Sequence, residues 1–213
     1  MLFRSLRIYC QQGVSQFVAP VVVDFLTRYP EASVDLRTGH AVIDLVEEAF
    51  DLAITAQPPP DASLVRRRLT TSRPIICSAP AYLEKHPAPQ SPADLANHNC
   101  LRYPYPPFAD GWHFLDANGN PMLARVSGTL ICSSPDTMRA AAIAGIGFAM
   151  TPPFMVADLL ESGALVRVPV MPGYRTQELE LIAVYPHRRH LSAKVRTFID
   201  MLVTWFVKHE HWL

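Results

Sequence analysis

The sequence of 213 residues lacks an excess of charge of either sign. Its 19 Lys and Arg residues balance 19 Asp and Glu residues, so that the formal net charge is zero. A domain that binds nucleic acid by itself is expected to carry a basic surface, and the balance therefore argues against DNA or RNA binding by this chain alone. Charged residues make up only 18% of the chain and hydrophobic ones 49%, which is typical of a globular protein and not of a disordered one.

Long hydrophobic runs are missing as well. No run approaches the roughly 18 apolar residues that a membrane span requires. Residues 1–7 lead directly into a strand-like segment, without the separate apolar region and cleavage site of a signal peptide. We therefore expect a cytoplasmic protein with no membrane partner.

Cysteine is scarce and widely spaced. The four cysteines are Cys10, Cys77, Cys100 and Cys132, and no two of them have the short spacing of metal ligands. Each lies beside strand-like apolar residues, which favours four reduced, buried thiols over the alternative of a redox-switch pair. The group His209, Glu210 and His211 is too close to the chain end to predict a metal site.

The motifs of common catalytic sites are also absent from the sequence. It has no nucleophile elbow, no P-loop and no HExxH zinc motif. The segment Gly145-Ile146-Gly147 lacks the third glycine of a dinucleotide fingerprint, and it is better explained as a helix end that leads into a strand. His40 is the single candidate for acid–base chemistry, so we expect neither an enzyme nor a cofactor.

What the sequence does contain is an alternation of strands and helices, with many of its 20 prolines at the breaks. Mainly apolar segments at 6–10 and 51–54 and an alternating segment at 34–37 predict strands, and helical periodicity at 17–29 and 42–50 predicts two helices between them. Three strands joined in this way predict a parallel sheet with right-handed crossovers.

A second strand–helix run follows a break at residues 58–60. It contains predicted strands at 128–132, 147–150 and 178–185, a hairpin turn at Asn118-Gly119, a helix capped by Ser134 and a final helix at 192–208. The fold class is therefore α/β, with two Rossmann-like lobes joined by two hinge strands. We expect lobe I to contain 1–73 and 183–213, lobe II to contain 74–182, and a cleft to lie between them.

Ligands of open α/β sheets bind beyond the carboxyl ends of the strands. These ends are expected at 11–13, 38–40, 103–105 and 133–134, where small or polar residues follow apolar strands. Each group could also have a role that involves no ligand. His40 could be a solvated loop residue, Tyr103 and Tyr105 could pack under the following loop, and Ser134 could cap its helix without binding an anion.

Five segments resemble the effector-binding domain of LysR-type transcriptional regulators. Residues 44–54 (DLVEEAFDLAI) are similar to the family's DLVEEGFDVAIR, and residues 139–152 are similar to its AAxAGLGIAxLP. Residues 185–200 are similar to its YPxRRHLSPKVRAFID. The opening strand with 25–32 and the SAPAYL of 78–83 complete a resemblance that covers nearly the whole chain in the family's order.

This resemblance implies a fold like that of type 2 periplasmic binding proteins, with a small-molecule effector in the cleft. The family's ligand contacts fall by position on ten residues, which are Gln12, Gly13, Val14, Thr38, Gly39, His40, Tyr103, Tyr105, Ser133 and Ser134. Two of them depart from relatives. Gly13 lacks the hydroxyl that some relatives offer, and Ser133 stands where close relatives often carry Asn, so that the ligand chemistry does not transfer.

The resemblance also implies partners. Family members begin with a winged helix-turn-helix, which this sequence does not contain, so we expect a truncated chain whose intact protein binds promoter DNA as a dimer or tetramer. The chain itself is expected to sense an effector and to form a homodimer. Two alternatives are a solute-binding protein of a transporter, which requires export, and an enzyme on the same scaffold.

Overall fold

The computed structural model describes residues 5–40, 44–57, 61, 63–169, 171–186 and 191–209. Within these ranges the chain divides into two compact units. Unit 1 contains the described residues of 5–71 and 180–209, and unit 2 contains those of 72–179. None of the described helices combines the length and apolarity that a membrane crossing requires.

Unit 1 is built on a five-stranded sheet. Its strands are β1 (Leu6–Gln11), β2 (Val34–Gly39), β3 (Leu52–Thr55), β4 (Leu64–Ser72) and β12 (Leu179–Pro186), in the order β2-β1-β3-β12-β4. The strands β2, β1 and β3 are parallel, which confirms the sheet predicted from the apolar segments. β12 runs antiparallel to β3.

Two helices cover apolar side chains of unit 1, α1 (Ser15–Arg28) and α5 (Ala193–Lys208). Phe25 of α1 meets Phe198 of α5 edge-to-face, with 5.5 Å between the ring centroids. Both rings are fully buried. A second cluster of unit 1 contains Tyr9, Leu45 and Phe50, so aromatic and aliphatic side chains pack together in this core.

The helix predicted at 42–50 is wrong in its described part, since residues 45–49 form turns. The Asp44 carboxylate accepts hydrogen bonds from the N–H groups of Val46 and Glu47, which begins a helical turn. Ala49 then adopts a φ of 56°, a left-handed conformation that does not continue an α-helix. Leu45 and Phe50 are buried, while Val46 is 63% exposed.

Unit 2 contains two small sheets. The first has the order β10-β5-β9-β6 and the second the order β11-β7-β8, with the bounds β5 (Ile75–Ser78), β6 (Cys100–Leu101), β7 (Trp112–Leu115), β8 (Pro121–Ala124), β9 (Phe148–Thr151), β10 (Val166–Arg167) and β11 (Arg175–Thr176). The helices are α2 (Pro80–Leu83), α3 (Pro135–Ile143) and α4 (Ala157–Glu161). Trp112 and Phe148 lie fully buried in the core of this unit.

Short sequence patterns correctly predicted three features of unit 2, which are a hairpin turn, a helix cap and a helix end. Asn118 and Gly119 lie between the antiparallel strands β7 and β8, and Gly119 has a φ of 85°. Ser134 caps α3, because its hydroxyl accepts the N–H of Thr137 at 3.3 Å. Gly145 follows this helix with a φ of 69°, as expected for a glycine at a helix end.

The strand predicted at 128–132 is wrong. In this segment only Ile131 forms a β-bridge, to Arg102. Gly128 packs against the Cys100 carbonyl so closely that an added Cβ would lie 2.0 Å from its oxygen. The segment is therefore held by this close backbone contact and by a single bridge with its hydrogen bonds to Arg102, and not by a regular strand ladder.

All four cysteines are free, and Cys10, Cys77 and Cys100 are buried as expected. Burial raises the pKa of the Cys77 and Cys100 thiols to about 12 and raises that of Cys10 as well, because a thiolate is poorly solvated in an apolar core. These three thiols are therefore unreactive at neutral pH. Cys132 differs from the expectation in being only half-buried.

Candidate functional site

The predicted contact residues of unit 1 meet at one edge of its parallel strands. Cys10 of β1 pairs with Thr38 of β2, and Gln11 pairs with Gly39. Residues Gln12–Val14, which form a 3-10 helix after β1, therefore leave the sheet beside 38–40. Val14 is buried, so its side chain belongs to the core of unit 1. Thr38 is exposed, and His40 is half-buried.

The sequence analysis placed Gln11 at this edge but missed the bonds of its side chain and the residue Thr55. The Gln11 side-chain oxygen accepts the Ala56 N–H at 2.8 Å and the Thr55 hydroxyl at 3.3 Å. These bonds join the ends of β1 and β3. The sequence carried a signal for them, because Thr55 directly follows the third predicted parallel strand and carboxyl ends of parallel strands share one edge.

Gly39 has a steric role in unit 1. A Cβ added to Gly39 would lie 2.5 Å from the Tyr9 hydroxyl oxygen and 3.2 Å from the ring carbon that carries it. The Tyr9 ring itself packs against Phe50, with centroids 5.8 Å apart. Absence of a side chain at Gly39 therefore lets the Tyr9 ring occupy the end of the sheet.

We expect Gly39→Ala to lower the free energy of unfolding by about 2 kcal/mol, because it overpacks the Tyr9 hydroxyl. Tyr9→Phe removes the clashing oxygen and should reduce that cost in the double variant. Urea denaturation of the wild type, both single variants and the double variant measures the coupling. A loss of unfolding free energy in the double variant equal to the sum of the losses in the two single variants would contradict the steric explanation.

The predicted contact residues of unit 2 also meet at one edge. The Arg102 N–H donates to the Leu130 carbonyl, and the Cys132 N–H donates to the Arg102 carbonyl, each at 2.9 Å. These two bonds place Tyr103 and Tyr105 on a segment next to the one that carries Ser133 and Ser134. The edge thus combines two phenol rings with two hydroxyl groups.

The individual groups at this edge differ in what they can offer. Tyr103 and Tyr105 contact each other edge-to-face at 5.7 Å. Burial raises the pKa of Tyr103 to about 12, so that its hydroxyl remains a hydrogen-bond donor at neutral pH. The Ser134 hydroxyl accepts a bond from α3, while its N–H donates to the Cys132 sulfur at 3.2 Å. Ser133 is half-buried.

Unit 2 also contains a pocket of about 430 Å³ that the sequence analysis missed. It is formed by five separate stretches of chain and lined by Pro74, Pro106, Pro107, Phe108, Ala109, Asp110, His113, Met150, Gln177 and Leu179. None of the ten predicted contact residues lines it. Its polar groups include the Asp110 carboxylate and the His113 imidazole, which are hydrogen-bonded to each other at 3.0 Å.

Metal chemistry receives no support from the described residues, among which no group of three or more His, Cys, Asp or Glu side chains could hold an ion. The group His209, Glu210 and His211 is described only at His209, and so it lies largely outside that part of the chain. The described ring of His209 stacks on Trp205 with centroids 4.1 Å apart.

The comparison with known families decides the identity of this α/β chain. The model of the LysR substrate binding domain matches residues 2–207. The chain belongs to this family. The resemblance seen in the five sequence segments is thereby confirmed, and the relatives of this LysR substrate binding domain are transcriptional regulators and not solute-binding proteins of transporters.

Two curated relatives illustrate the similarity. The LysR substrate binding domain described here is 32% identical over 191 residues to the HTH-type transcriptional regulator CrgA of Neisseria meningitidis serogroup C, which covers 89% of this chain and 62% of that protein. It is 32% identical over 201 residues to the HTH-type transcriptional activator TtdR of Escherichia coli. That match covers 94% of this chain and 64% of TtdR. The chain thus spans less than two thirds of the length of these relatives.

Solved structures agree on the fold. The regulatory domain of CrgA from Neisseria meningitidis has a TM-score of 0.80 at 29% identity, over 95% of this chain and 98% of that one. The full-length virulence activator AphB of Vibrio cholerae has a TM-score of 0.81 at 26% identity, over 94% and 68%. Such regulatory domains have the two-lobe, periplasmic-binding-protein-like α/β fold, which confirms the predicted fold class.

Proposed function

We propose that this chain is the effector-sensing and dimerisation part of a DNA-binding transcription regulator. The observation that carries the proposal is the family match over nearly the whole chain. In the longer protein, a helix-turn-helix region would bind promoter DNA, in keeping with the HTH-type names of the relatives. The zero net charge of this chain supports a division of labour in which the DNA contacts lie elsewhere.

The effector is a small metabolite, held by residues 12–14 and 38–40 of lobe I and by Tyr103, Tyr105, Ser133 and Ser134 of lobe II. We retain the lobe boundaries 1–73 with 183–213 and 74–182 as part of this proposal. Binding biases the equilibrium between open and closed arrangements of the lobes by the difference in affinity for the two states. That change would alter the spacing of the DNA-binding regions in the oligomer.

No catalytic step and no cofactor enter this proposal, because sensing requires only reversible binding. The relatives are transcriptional regulators by name, and a cytoplasmic location, where promoter DNA is reached, is part of this proposal. The partners are therefore the effector, further copies of the chain and, through the longer protein, promoter DNA.

Thr38→Val and Ser133→Ala test the effector assignment. A thermal-shift screen with small carboxylates and aromatic acids first identifies a ligand, since one present at about 100 times its Kd stabilises a protein by about 2.7 kcal/mol. Each variant should then weaken that ligand about tenfold in isothermal titration, as expected for the loss of a hydrogen bond to it.

Matched control variants are Thr27→Val and Ser162→Ala. Each removes an exposed hydroxyl that bonds only within its own segment, to the Val23 and Leu159 carbonyls. Their Kd should equal that of the wild type. An unchanged Kd in Thr38→Val and Ser133→Ala would reject the assignment of these two residues.

The oligomer is proposed to be a homodimer or tetramer that covers exposed apolar side chains of both units. On α1 of unit 1, Val23 is 64% exposed. In unit 2, Ile131 is 57% exposed, and Ile143 and Ile146 at the end of α3 are each 44% exposed. Contact between copies of the chain would remove this apolar surface from water.

Val23→Glu and Ile143→Glu are each expected to weaken self-association about tenfold or more, because a carboxylate placed at an apolar interface loses its hydration. Sedimentation velocity over a concentration series measures the effect. Val207→Glu is the matched control, since Val207 is 63% exposed on α5. Equal dissociation constants for all three variants would refute the proposed surface.

A further inference from the structure

The pocket of unit 2 differs in chemistry from the predicted effector contacts. Its volume of about 430 Å³ falls within the range of roughly 300–1,000 Å³ that small-molecule sites occupy. The loop between β6 and β7 contributes Phe108 and Asp110, β7 contributes His113, and β9 contributes Met150. Because its lining lies wholly within unit 2, the pocket needs no residue of unit 1.

The walls of the pocket are mainly apolar. Proline rings, the Phe108 ring, and the Met150 and Leu179 side chains line it. Met150 also belongs to the buried core cluster of unit 2, against which Phe108 packs. A flexible thioether beside an aromatic ring suits a flat hydrocarbon group, since methionine adapts its shape and sulfur packs well on ring edges.

The polar end of the pocket is fixed by the strand that carries it. The His113 carbonyl accepts the Gln177 N–H at 3.0 Å, and His113 is paired with Leu123 in the hairpin. The His113 ring bonds to one oxygen of Asp110. That bond lowers the pKa of Asp110, so that its carboxylate is charged at neutral pH.

An ionised carboxylate selects the charge of a ligand. One Asp110 oxygen bonds to His113, and a carboxylate has further lone pairs that can accept hydrogen bonds. A bound anion would meet this negative charge at close range, whereas a cation or a neutral donor would be attracted to it. The Asp110 side chain is 62% exposed, so water screens part of its charge, and the preference for a cation is graded and not absolute.

We propose that this pocket is a second ligand site, which binds a compact apolar molecule carrying a protonated amine. The ammonium group donates to Asp110, and the hydrocarbon body packs against Phe108 and Met150. The site is independent of the proposed effector contacts at Thr38 and Ser133, and it would give the domain a second chemical input.

Three probes of the same shape test the charge preference on the full chain: benzylamine, benzyl alcohol and benzoate. Binding is followed by NMR on a sample with labelled methionine methyl groups, through the signal of Met150, which lines this pocket. The variant Met150→Leu identifies that signal by its loss. Titration of that signal should give a Kd for benzylamine at least about tenfold lower than the Kd for benzyl alcohol. Benzoate should leave the signal unchanged. A Met150 signal that responds equally to all three, or to none, would overturn the proposal.

Asp110→Asn tests the residue that selects the amine. It should weaken benzylamine about tenfold or more while leaving benzyl alcohol unchanged, since the shape of the side chain is kept and only its charge is lost. Asp136→Asn, an exposed carboxylate in the first turn of α3, is the matched control and should bind benzylamine as the wild type does.

Thr38→Val and Ser133→Ala separate the two proposals. Both variants should bind benzylamine normally, even if they lose the effector. An amine affinity that drops in these variants and persists in Asp110→Asn would show that the amine binds at the effector contacts and not in this pocket.

Discussion

Gly147→Ala is expected to lower the free energy of unfolding of unit 2 by about 3 kcal/mol or more, at the upper end of overpacking costs. A Cβ added to Gly147 would lie 2.1 Å from the Asn99 carbonyl oxygen and 2.9 Å from its carbon. Because these are backbone atoms, no side-chain rotation relieves the clash. Urea denaturation, with hydrogen exchange to resolve the two units, measures the loss.

Asn99 cannot move away without breaking other bonds. Its carbonyl accepts the Phe148 N–H at 2.9 Å. Its side-chain amide donates to the Ile146 carbonyl at 2.7 Å and to the Thr129 hydroxyl at 2.9 Å, and its side-chain oxygen accepts the Thr129 N–H at 2.8 Å. A shift of Asn99 would therefore disturb its bonds to two segments at once, at 129 and at 146–148.

Gly163→Ala is the control for this prediction. Gly163 has a φ of 75°, and nothing lies within 4 Å of an added Cβ. Alanine there costs about 1 kcal/mol, through the left-handed backbone alone. A loss in Gly147→Ala no larger than in Gly163→Ala would contradict the steric argument.

Asp51→Ala is expected to lower the free energy of unfolding of unit 1 by about 3 kcal/mol, close to the lower end of the range for breaking a buried ion pair. The Asp51 carboxylate accepts the Lys194 ammonium at 2.7 Å and the Arg7 N–H at 3.0 Å. The side chains of Asp51 and Lys194 are only 15% and 19% exposed. Removal of the carboxylate leaves a cation that is largely shielded from water, and it releases the start of α5.

The comparison that isolates this effect is Asp24→Ala. Asp24 and Arg28 form a solvent-exposed pair on α1 at 2.8 Å, with side chains 47% and 61% exposed, and such pairs contribute about 0.5 kcal/mol. Lys194→Met should recover part of the loss in the Asp51→Ala background, because no shielded cation remains. Equal costs for Asp51→Ala and Asp24→Ala in urea denaturation would refute the argument.

Short-range chemistry explains which elements were predictable. The parallel strands β1 and β3 were found because each is mainly a run of apolar residues, and β2 was found because apolar and charged residues alternate along it. The start of α3 was found because Ser134 acts on an N–H three residues away. The basic run Arg66-Arg67-Arg68 was interpreted from the sequence as a solvated or alternating strand face. It lies in the edge strand β4, where Arg66 and Arg68 are exposed and Arg67 between them is less so, but the extension of β4 to Ser72 was not predicted.

The candidate site was predictable only in part. The carboxyl ends of strands could be located from the sequence, and the structure brings 12–14 beside 38–40 and 103–105 beside 133–134. The pocket in unit 2 could not be found, because its lining comes from stretches as distant as Pro74 and Leu179. No local pattern marks Asp110 and His113 as neighbours of Met150.

The sequence by itself determined the family, the fold class, the order of most strands and helices, and the caps and turns, because these depend on periodicity and on contacts a few residues apart. Only the tertiary structure decided that 128–132 is no strand, that Gly39 and Gly147 must lack a side chain, and that Asp110 and His113 share a pocket with Phe108 and Met150. These features depend on packing between distant segments, and a linear pattern does not encode the distances at which such segments meet.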